Sequence, residues 1–307
     1  NVFLRALQEW NPAYCAIAFD TSAPTFRHKQ FEAYKAQREA TPEELRPQFG
    51  RVKQLMECFG VPVYELEGWE ADDVIGTLAA QAEKMGLNSV ILTGDRDTFQ
   101  LISPKIRVDL ASSIQDRKVY DEAELAKRYS GLTAAQQTDF KALLGDTSDN
   151  IPGVPKVGEK TAITLLNDYQ NLEGIYEHLD EVTRPSVKQS LAENKERAFS
   201  NRELMTIDRN SPVELDLERA KFGEFDRNAV VGLMTELEFF TVIPRIPETV
   251  VSQDSPGGVA PRMQAPGEGA DYTVVQTNEQ LDQMLAALRK AGSFSFDTET
   301  TGLDAVQ

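Results

Sequence analysis

Short apolar runs alternate with helix-forming segments in the first 120 residues of the chain. YCAIAF (14–19), SVILT (89–93) and IRVDL (106–110) read as strands. The segment between the first two of them includes EADDVIGTLAAQAEK (70–84), which has the pattern of a strong helix. Strands separated by helices usually pair in parallel, because each helix returns the chain to the same edge of the sheet. We therefore predict an α/β fold with a largely parallel central sheet flanked by helices.

The pattern of apolar and polar residues changes near residue 121 and again near residue 245. Helical patterns dominate 121–244, which we predict to be a helical subdomain beside an α/β core of residues 1–120. Residues 245–270 are rich in Pro and Gly without periodicity, as in a flexible linker. The strand–helix–strand pattern of 271–307 predicts the beginning of a second domain. Since the chain starts without Met inside a predicted helix and stops within this new unit, we expect a fragment cut at both ends.

The formal charge of −17 argues against a protein that coats nucleic acid or membranes through overall attraction. Local basic strips or bound cations can still reverse the field at one site. The chain has no apolar run of about 18 residues and no signal peptide, and its cysteines, Cys15 and Cys58, have apolar neighbours. These features favour a cytoplasmic protein that does not bind membranes, with a monomer as the default state.

Acidic residues stand at the ends of several predicted strands and helices. Asp20 and Asp95 each follow a predicted strand, and Asp97 comes two residues later. The carboxyl ends of parallel strands share one edge of a sheet, which is where such folds bind ligands. Further acids lie at the start of a predicted helix or just before a Gly-rich loop: Glu70, Asp72, Asp73, Asp146 and Asp149. Taken singly, each has an ordinary role as a helix-dipole partner, a cap or a turn former.

Taken together, eight carboxylates at one sheet edge would raise one another's pKa unless cations lay between them. Mg²⁺ prefers oxygen ligands, so a carboxylate-rich, histidine-poor site suits it. The chain has two histidines, His28 and His178, and neither has a partner at zinc spacing. We therefore predict two Mg²⁺ ions, replaceable by Mn²⁺, held about 4 Å apart as in sites that hydrolyse phosphodiesters.

The segment IPGVPKVGEKT (151–161) follows the last of these acids. It nearly matches a nucleotide-binding loop, but Glu159 separates Gly158 from Lys160 and no strand precedes it, so an ATPase is disfavoured. A helix–hairpin–helix fits better. Its backbone N–H groups near Gly153 and Gly158, together with Lys160, would hold a DNA backbone without reading bases. An ordinary helical turn is the structural alternative.

Positive charge alternates with aromatic rings in FRHKQFEAYKAQR (26–38). If this segment is helical, Arg27, Phe31, Lys35 and Arg38 fall near one face. Such a face suits single-stranded nucleic acid, because bases stack on the rings and phosphates pair with the cations. A solvated face above apolar side chains is an equally good explanation.

The order of these motifs resembles that of the 5′ nuclease domain of bacterial DNA polymerase I, and this domain is a relative of the flap endonucleases. The likeness covers about residues 1–245 and rests on FD at 19–20, FRH, YKAQR, GWEADD, TGDRD and GDTSDNIPGVPKVGEKTA. It implies a PIN-like α/β fold followed by the helix–hairpin–helix subdomain. FSFDTETTGLDAVQ resembles the first motif of a 3′–5′ proofreading exonuclease, which implies metal binding by Asp297 and Glu299.

The resemblance further implies Mg²⁺-dependent cleavage of 5′ flaps and nicked duplex DNA, as in primer removal and repair. It assigns a first metal to Asp20, Glu70, Asp72 and Asp73, and a second to Asp95, Asp97, Asp146 and Asp149. Lys35 and Arg38 would act catalytically by stabilising charge on the scissile phosphate, and Arg27 would contact phosphate nearby. The hairpin with Gly153, Gly158 and Lys160 would hold the duplex, with a K⁺ ion as another implied cofactor.

One departure from the family leads us to expect reduced activity. Members begin with a strand that ends in an Asp ligand, and this sequence starts after that strand. We therefore expect a poorly stable chain with weak or no nuclease activity, and we assign polymerase activity only to a parent protein. Two rival functions stay open: a structure-specific DNA-binding module without catalysis, and a ribonuclease of the related small family with carboxylate sites, against which the predicted DNA-binding hairpin argues.

Overall fold

The computed structural model describes residues 1–38, 41–111, 116–247, 275 and 277–291, and within these ranges helices surround three small sheets. The chain divides into two units, Asn1–Asp254 and Ser255–Gln307. Within the described ranges, no helix combines the length and the apolar character needed to cross a bilayer.

The first unit begins with the α/β part of the chain. Its elements are, in order, α1 (Val2–Trp10), β1 (Ile17–Ala18), α2 (Phe26–Gln30), α3 (Arg46–Cys58), β2 (Val63–Tyr64), α4 (Ala71–Lys84), β3 (Ser89–Thr93), a 3-10 helix (Arg96–Leu101), β4 (Ile106–Ala111) and β5 (Arg117–Tyr120). The helical part then follows. It contains α5 (Glu122–Arg128), α6 (Gln137–Leu144), β6 (Gly145–Asp146), β7 (Ile151–Pro152), α7 (Glu159–Tyr169), α8 (Leu172–Glu177), α9 (Pro185–Glu193), α10 (Lys195–Met205), α11 (Leu217–Ala220) and α12 (Arg227–Glu236).

The predicted α/β class is confirmed, and the strands form mixed sheets. β1 pairs in parallel with β2, with Ile17 opposite Val63. β3 pairs in parallel with β4, and β4 pairs antiparallel with β5. The helix α4 contacts both β1 and β3. The side chain of Asp20, two residues after β1, accepts a hydrogen bond from the backbone N–H of Ala71, so the carboxyl end of β1 lies at the start of α4.

The hydrophobic core explains how the sheet and the helices are held together. The larger cluster includes Val108 of β4, Leu125 of α5, Leu143 of α6 and Leu166 of α7, all at 0% exposure. A second cluster joins α1, α3 and α12 around Phe59. Since residues on both sides of position 121 share the larger cluster, the helical part packs directly on β3 and β4.

The segment 26–38 differs from the helix that its sequence predicts. The helix α2 ends at Gln30, turns follow, and Lys35 has a positive φ of 54°. A tertiary contact accounts for the break, because the Lys35 backbone N–H donates to the carbonyl oxygen of Asp149 at 3.0 Å. Tyr34 is turned inward at 3% exposure. The prediction of one continuous basic face on this segment is therefore wrong.

The second unit is described only through the helix α13 (Asn278–Ala291). This helix confirms the one predicted through LDQMLAALRKA. Asp297 and Glu299, predicted metal ligands, lie outside the described residues, as does most of the predicted linker.

Candidate functional site

Carboxylates from separated segments of the chain line one pocket of about 30 Å³. Asp72 comes from the first turn of α4, with Glu70 as the N-cap of that helix. Asp95 lies two residues after β3, and Asp149 lies in the turn between β6 and β7. The acids that line the pocket are Glu70, Asp72, Asp95, Asp97 and Asp149. The predicted gathering of carboxylates at the ends of strands is therefore present.

Asp20 and Asp146 do not line this pocket, but their charges act on acids that do. The Asp20 Oδ1 atom accepts a hydrogen bond of 2.8 Å from the backbone N–H of Ala71, at the start of α4. Asp146 Oδ1 accepts from the backbone N–H and the hydroxyl of Ser148, at 2.8 and 2.6 Å. The negative charge of Asp20 acts on Asp72, and that of Asp146 acts on Asp97.

Mutual repulsion among these acids appears in two pKa values. Burial, followed by the charges of Asp95, Asp97, Asp20 and Glu70, raises the pKa of Asp72 to about 7. Burial also raises the pKa of Asp97 to about 6. Asp95 and Asp146 push that pKa up, and Lys141 opposes them. A cation at this position would relieve the repulsion.

Cationic side chains already lie between the acids. Lys35 Nζ is 2.6 Å from Glu70 Oε1 and 3.9 Å from Asp149 Oδ2. Arg38 donates to Asp149 Oδ1 at 2.6 Å. Sequence reasoning placed Lys35 and Arg38 at the site but did not foresee that they would pair with its carboxylates.

Two further side chains at the site were missed by sequence reasoning. Lys141 of α6 forms ion pairs with Asp97 and, at 2.6 Å, with Asp146. The Tyr34 hydroxyl is 3.1 Å from Glu70 Oε2 and 3.1 Å from Asp149 Oδ2. Lys141 could have been noticed as a cation five residues before Asp146 on a predicted helix. For Tyr34 no comparable signal exists, because its inward position depends on the turn that ends α2.

Asp73 and Arg27 form a buried pair beside the pocket. Arg27 donates two hydrogen bonds to Asp73, at 2.7 and 2.8 Å, and the side chains are 3% and 0% exposed. Asp73 also accepts from the backbone N–H groups of Asp208 and Glu70. Arg27 lines the pocket, whereas Asp73 does not. Metal ligation by Asp73 and DNA contact by Arg27 stay predictions.

The donor chemistry of the pocket fits a hard divalent cation. Its acids offer only oxygen atoms, and these are the ligands that Mg²⁺ prefers. Among the described residues, no three His, Cys, Asp or Glu side chains are already disposed to hold an ion directly. Lys35, Arg38 and Lys141 bind the same oxygens that a metal would use. A divalent ion would therefore have to displace these cations.

The predicted helix–hairpin–helix segment consists of α6, the β6–β7 hairpin, a loop and α7. Gly153 packs closely on α6, since a Cβ there would lie 2.1 Å from the carbonyl oxygen of Leu144. Gly158 is the N-cap of α7 and has open space around it. No side chain caps this end of α7, and Lys160 is exposed in its first turn. Gly158 and Lys160 are therefore accessible, and Gly153 has a packing role.

The segment 33–38 is tied to the turn at 147–150. Asn150 Nδ2 donates to the carbonyl oxygen of Ala33 at 2.8 Å. Gln37 Nε2 donates to the carbonyl oxygen of Thr147 and to Asn150 Oδ1. With the backbone bond from Lys35 to Asp149, these contacts hold the basic segment against the turn that carries Asp149.

Two family models match consecutive parts of the chain. Residues 1–130 match the 5′-3′ exonuclease N-terminal resolvase-like domain, and residues 132–228 match the 5′-3′ exonuclease C-terminal SAM fold. DNA polymerase I of Chloroflexus aurantiacus is 40% identical over 333 residues, which cover 100% of this chain and 35% of that protein. DNA polymerase I of Bacillus caldotenax is 40% identical over 82% of this chain and 29% of its own length. The chain thus spans 35% or less of the length of these relatives.

Solved structures share the fold at low sequence identity. The 5′-exonuclease of bacteriophage T5 with bound divalent zinc ions has a TM-score of 0.55 at 20% identity, covering 80% of this chain and 89% of that one. The catalytic core of Rad2 in complex with a DNA substrate has a TM-score of 0.55 at 17% identity, covering 80% and 84%. These likenesses establish a PIN-like α/β fold. Together with the family models and the relatives, they show that the chain belongs to the 5′-3′ exonuclease family and corresponds to the nuclease portion of DNA polymerase I.

Proposed function

We propose that this chain is a divalent-metal-dependent nuclease that hydrolyses phosphodiester bonds in 5′ flaps and nicked duplex DNA, as in primer removal and repair. The observation that carries the proposal is the convergence of carboxylates from α4, the end of β3 and the β6–β7 turn on one pocket. The raised pKa values of Asp72 and Asp97, caused first by burial and then by neighbouring acids, support it, because perturbed pKa values cluster at functional sites.

Two Mg²⁺ ions are the proposed cofactors, and Mn²⁺ would substitute for them. The bound zinc ions of the T5 5′-exonuclease support the use of divalent metals. When bound, the ions would activate a water molecule and neutralise charge on the phosphate. The proposed ligands of the first ion are Asp20, Glu70, Asp72 and Asp73, and those of the second are Asp95, Asp97, Asp146 and Asp149. For Asp73 to bind a metal ion, its hydrogen bonds with the Arg27 guanidinium would first have to break.

The basic segment would supply catalytic cations from this chain. Once a divalent ion neutralises Glu70 and Asp149, Lys35 and Arg38 lose their present partners and can pair with the scissile phosphate. The Tyr34 hydroxyl, which contacts both of these acids, would keep them at a fixed separation. Arg27, buried against Asp73, would hold the start of α4 in place and contact phosphate only from the pocket side.

The hairpin segment is the proposed duplex grip. The uncapped N–H groups at the start of α7, together with Lys160, can bind a phosphate of the DNA backbone. The DNA-bound core of Rad2 supports DNA as the partner of this fold. A K⁺ ion at this hairpin stays part of the proposal.

A DNA-binding module without catalysis is the second candidate, and one observation favours it. Among the described residues, β1 pairs with β2 and β3 pairs with β4, and no strand joins the two sheets. Asp20 and Asp95 are therefore positioned from separate sheets. We expect this arrangement to give weak turnover with DNA binding retained.

A cleavage assay with a labelled 5′-flap DNA tests the proposal. We expect cutting with Mg²⁺ or Mn²⁺, its loss in EDTA, and its loss in the Asp146→Asn/Asp149→Asn double variant with DNA binding preserved. Asp180→Asn, whose side chain is 99% exposed, is the matched control and should cut normally. Normal cutting by the double variant would refute the metal assignment.

Two other outcomes separate the rival functions. Binding without cutting at saturating Mg²⁺ or Mn²⁺ would favour the DNA-binding module. Faster cutting of RNA flaps than of DNA flaps would favour a ribonuclease.

A further inference from the structure

A second cavity, of about 240 Å³, lies beside the carboxylate pocket. The 3-10 helix after β3, the end of α5, α6 and the start of α7 enclose it. Asp97 and Met205 line both spaces, so their occupants would be neighbours. Gly145 and Glu159 bring the hairpin segment to its opposite side. The cavity therefore lies between the proposed cleavage site and the proposed duplex grip.

The charge of the lining is unusual for this acidic chain. Arg96, Arg128 and Lys141 face Asp97 and Glu159, in a protein with a formal charge of −17. Lys141 is held by its ion pairs with carboxylates. Arg128 has a single ion pair with Glu159, at 3.3 Å, and both side chains are more than 40% exposed.

Arg96 is the most available of these cations. Among the described residues its side chain has no ion-pair or hydrogen-bond partner, and it is exposed. It stands between two proposed metal ligands, Asp95 and Asp97. A guanidinium without a partner so close to the proposed cleavage site can bind a phosphate through two parallel N–H bonds.

The remaining wall of the cavity is aromatic. Tyr129 and Phe140 pack edge to face, with ring centroids 5.2 Å apart, and both line the space. The volume is below the range of about 300 Å³ or more that holds drug-sized ligands. A cavity with a cationic rim and aromatic rings at its wall is suited to one nucleotide, whose phosphate pairs with arginine while its sugar or base contacts the rings.

We propose that this cavity is a subsite for the nucleotide that adjoins the scissile phosphate, with Arg96 and Arg128 binding its phosphate. This inference rests on the proposed function and deepens it, because it names where the strand runs between the carboxylates and the hairpin. Arg96 and Arg128 thereby become binding residues that the sequence motifs did not identify.

Binding of flap DNA in EDTA, followed by fluorescence anisotropy, tests the subsite without any cutting. We expect Arg96→Ala and Arg128→Ala each to weaken binding about five- to tenfold, as loss of one charge-assisted phosphate contact would do. Arg96→Lys should recover part of the loss. Lys127→Ala is the matched control: this neighbour of Arg128 is 76% exposed, does not line the cavity and should stay within about twofold of the parent chain.

The position of the contact is tested with DNA that carries one neutral methylphosphonate at successive linkages. At a single linkage beside the branch, the modification should weaken binding by the parent chain, and Arg96→Ala should add nothing further there. If the losses of affinity from Arg96→Ala and from the methylphosphonate add at every linkage, the subsite is refuted. Arg96 would then attract the DNA only through long-range electrostatics and would contact no particular phosphate. Equal melting temperatures of the variants exclude a folding defect as the cause.

The outcomes also separate this inference from the proposed function. If the parent chain binds flap DNA and Arg96→Ala behaves like Lys127→Ala, only the subsite is refuted. If the parent chain fails to bind flap DNA, the proposed function fails and the subsite fails with it.

Discussion

Replacing Lys141 by Met tests whether this side chain acts as a built-in counter-ion. Lys141 pairs with Asp97 and Asp146, which are proposed ligands of one metal ion. Burial works against its charge, but the two carboxylates outweigh burial and hold the pKa of Lys141 above its usual range. Met keeps most of the length and the apolar stem of the side chain and removes the ammonium group with its charge and its N–H donors. The variant should therefore be less stable without metal and should bind metal more tightly.

The magnitude follows from the geometry of the pair. Two unit charges 4 Å apart interact by about 4 kcal/mol at an effective dielectric constant near 20. The Lys141 side chain is 26% exposed, so solvent screening lowers this figure. We expect a loss of about 1 to 3 kcal/mol in the free energy of unfolding in EDTA. Removing the competing charge should tighten Mn²⁺ binding by about 1 to 2 kcal/mol, which is roughly five- to thirtyfold.

Two measurements check this prediction. Chemical denaturation in EDTA and in Mg²⁺ should show that the stability gap between Lys141→Met and the parent chain narrows when metal is present. Titration with Mn²⁺, followed by calorimetry or electron paramagnetic resonance, gives the affinity. Lys127→Met is the control, because its side chain is 76% exposed on the neighbouring α5. Unchanged or weaker Mn²⁺ binding by Lys141→Met, with the same stability gap in both buffers, would refute the reasoning.

Three further predictions concern stability. Without divalent ions, the free energy of unfolding should fall as pH rises from about 4 to about 7. The reason is that the pKa of Asp72 is raised to about 7 in the folded chain, which therefore keeps this proton to a higher pH than the unfolded chain does. Denaturation of the parent chain and of Asp72→Asn across this range isolates the effect. Arg27→Met should lower the free energy of unfolding, measured by urea denaturation, by about 3 to 5 kcal/mol, since it leaves the fully buried carboxylate of Asp73 without its cation. Gly153→Ala should lower the free energy of unfolding by about 2 kcal/mol or more, because the added Cβ would clash with the backbone of Leu144. Gly158→Ala has open space around the added Cβ and should lower it by less than about 1 kcal/mol in the same measurement.

Each of these predictions has a contrary outcome. An equal pH slope in the parent chain and Asp72→Asn would mean that other groups carry the dependence. For the buried pair, the control is Arg51→Met, which removes an ion pair between side chains that are 46% and 56% exposed and should cost below about 1 kcal/mol. Similar costs for the two arginine variants would show that burial does not strengthen the Arg27 pair. Equal melting temperatures for the two glycine variants would contradict the close contact at Gly153.

Local pattern predicted the elements that carry the proposed ligands. The helix predicted over 70–84 is α4, which differs only in that Glu70 is its N-cap, and the strand predicted at SVILT is β3 with the same bounds. Their periodicity is strong and agrees with the tertiary structure, so the acids at their ends could be placed at one edge in advance. β5 was missed, because its sequence RKVY is short and charged and pairs only through β4.

What the sequence could not show depends on contacts between distant residues. Nothing near residue 30 signals that the helix will stop there; the cause is a hydrogen bond from Lys35 to Asp149, over a hundred positions away. The same holds for the pairing of Arg27 with Asp73, which directs an arginine expected at the surface into the interior. The sequence did predict that the clustered carboxylates need positive charge between them. That lysine and arginine would meet this need could be seen only in the folded chain.

The ties between 33–38 and 147–150 have a mechanical consequence. Because the backbone of Lys35 and the side chains of Gln37 and Asn150 join these two stretches, neither can lift away from the acids by itself. Under the proposed function, a DNA end that passes beneath residues 33–38 would have to loosen residues 147–150, which continue directly into the hairpin segment. These few hydrogen bonds would then couple entry of the single strand mechanically to binding of the duplex.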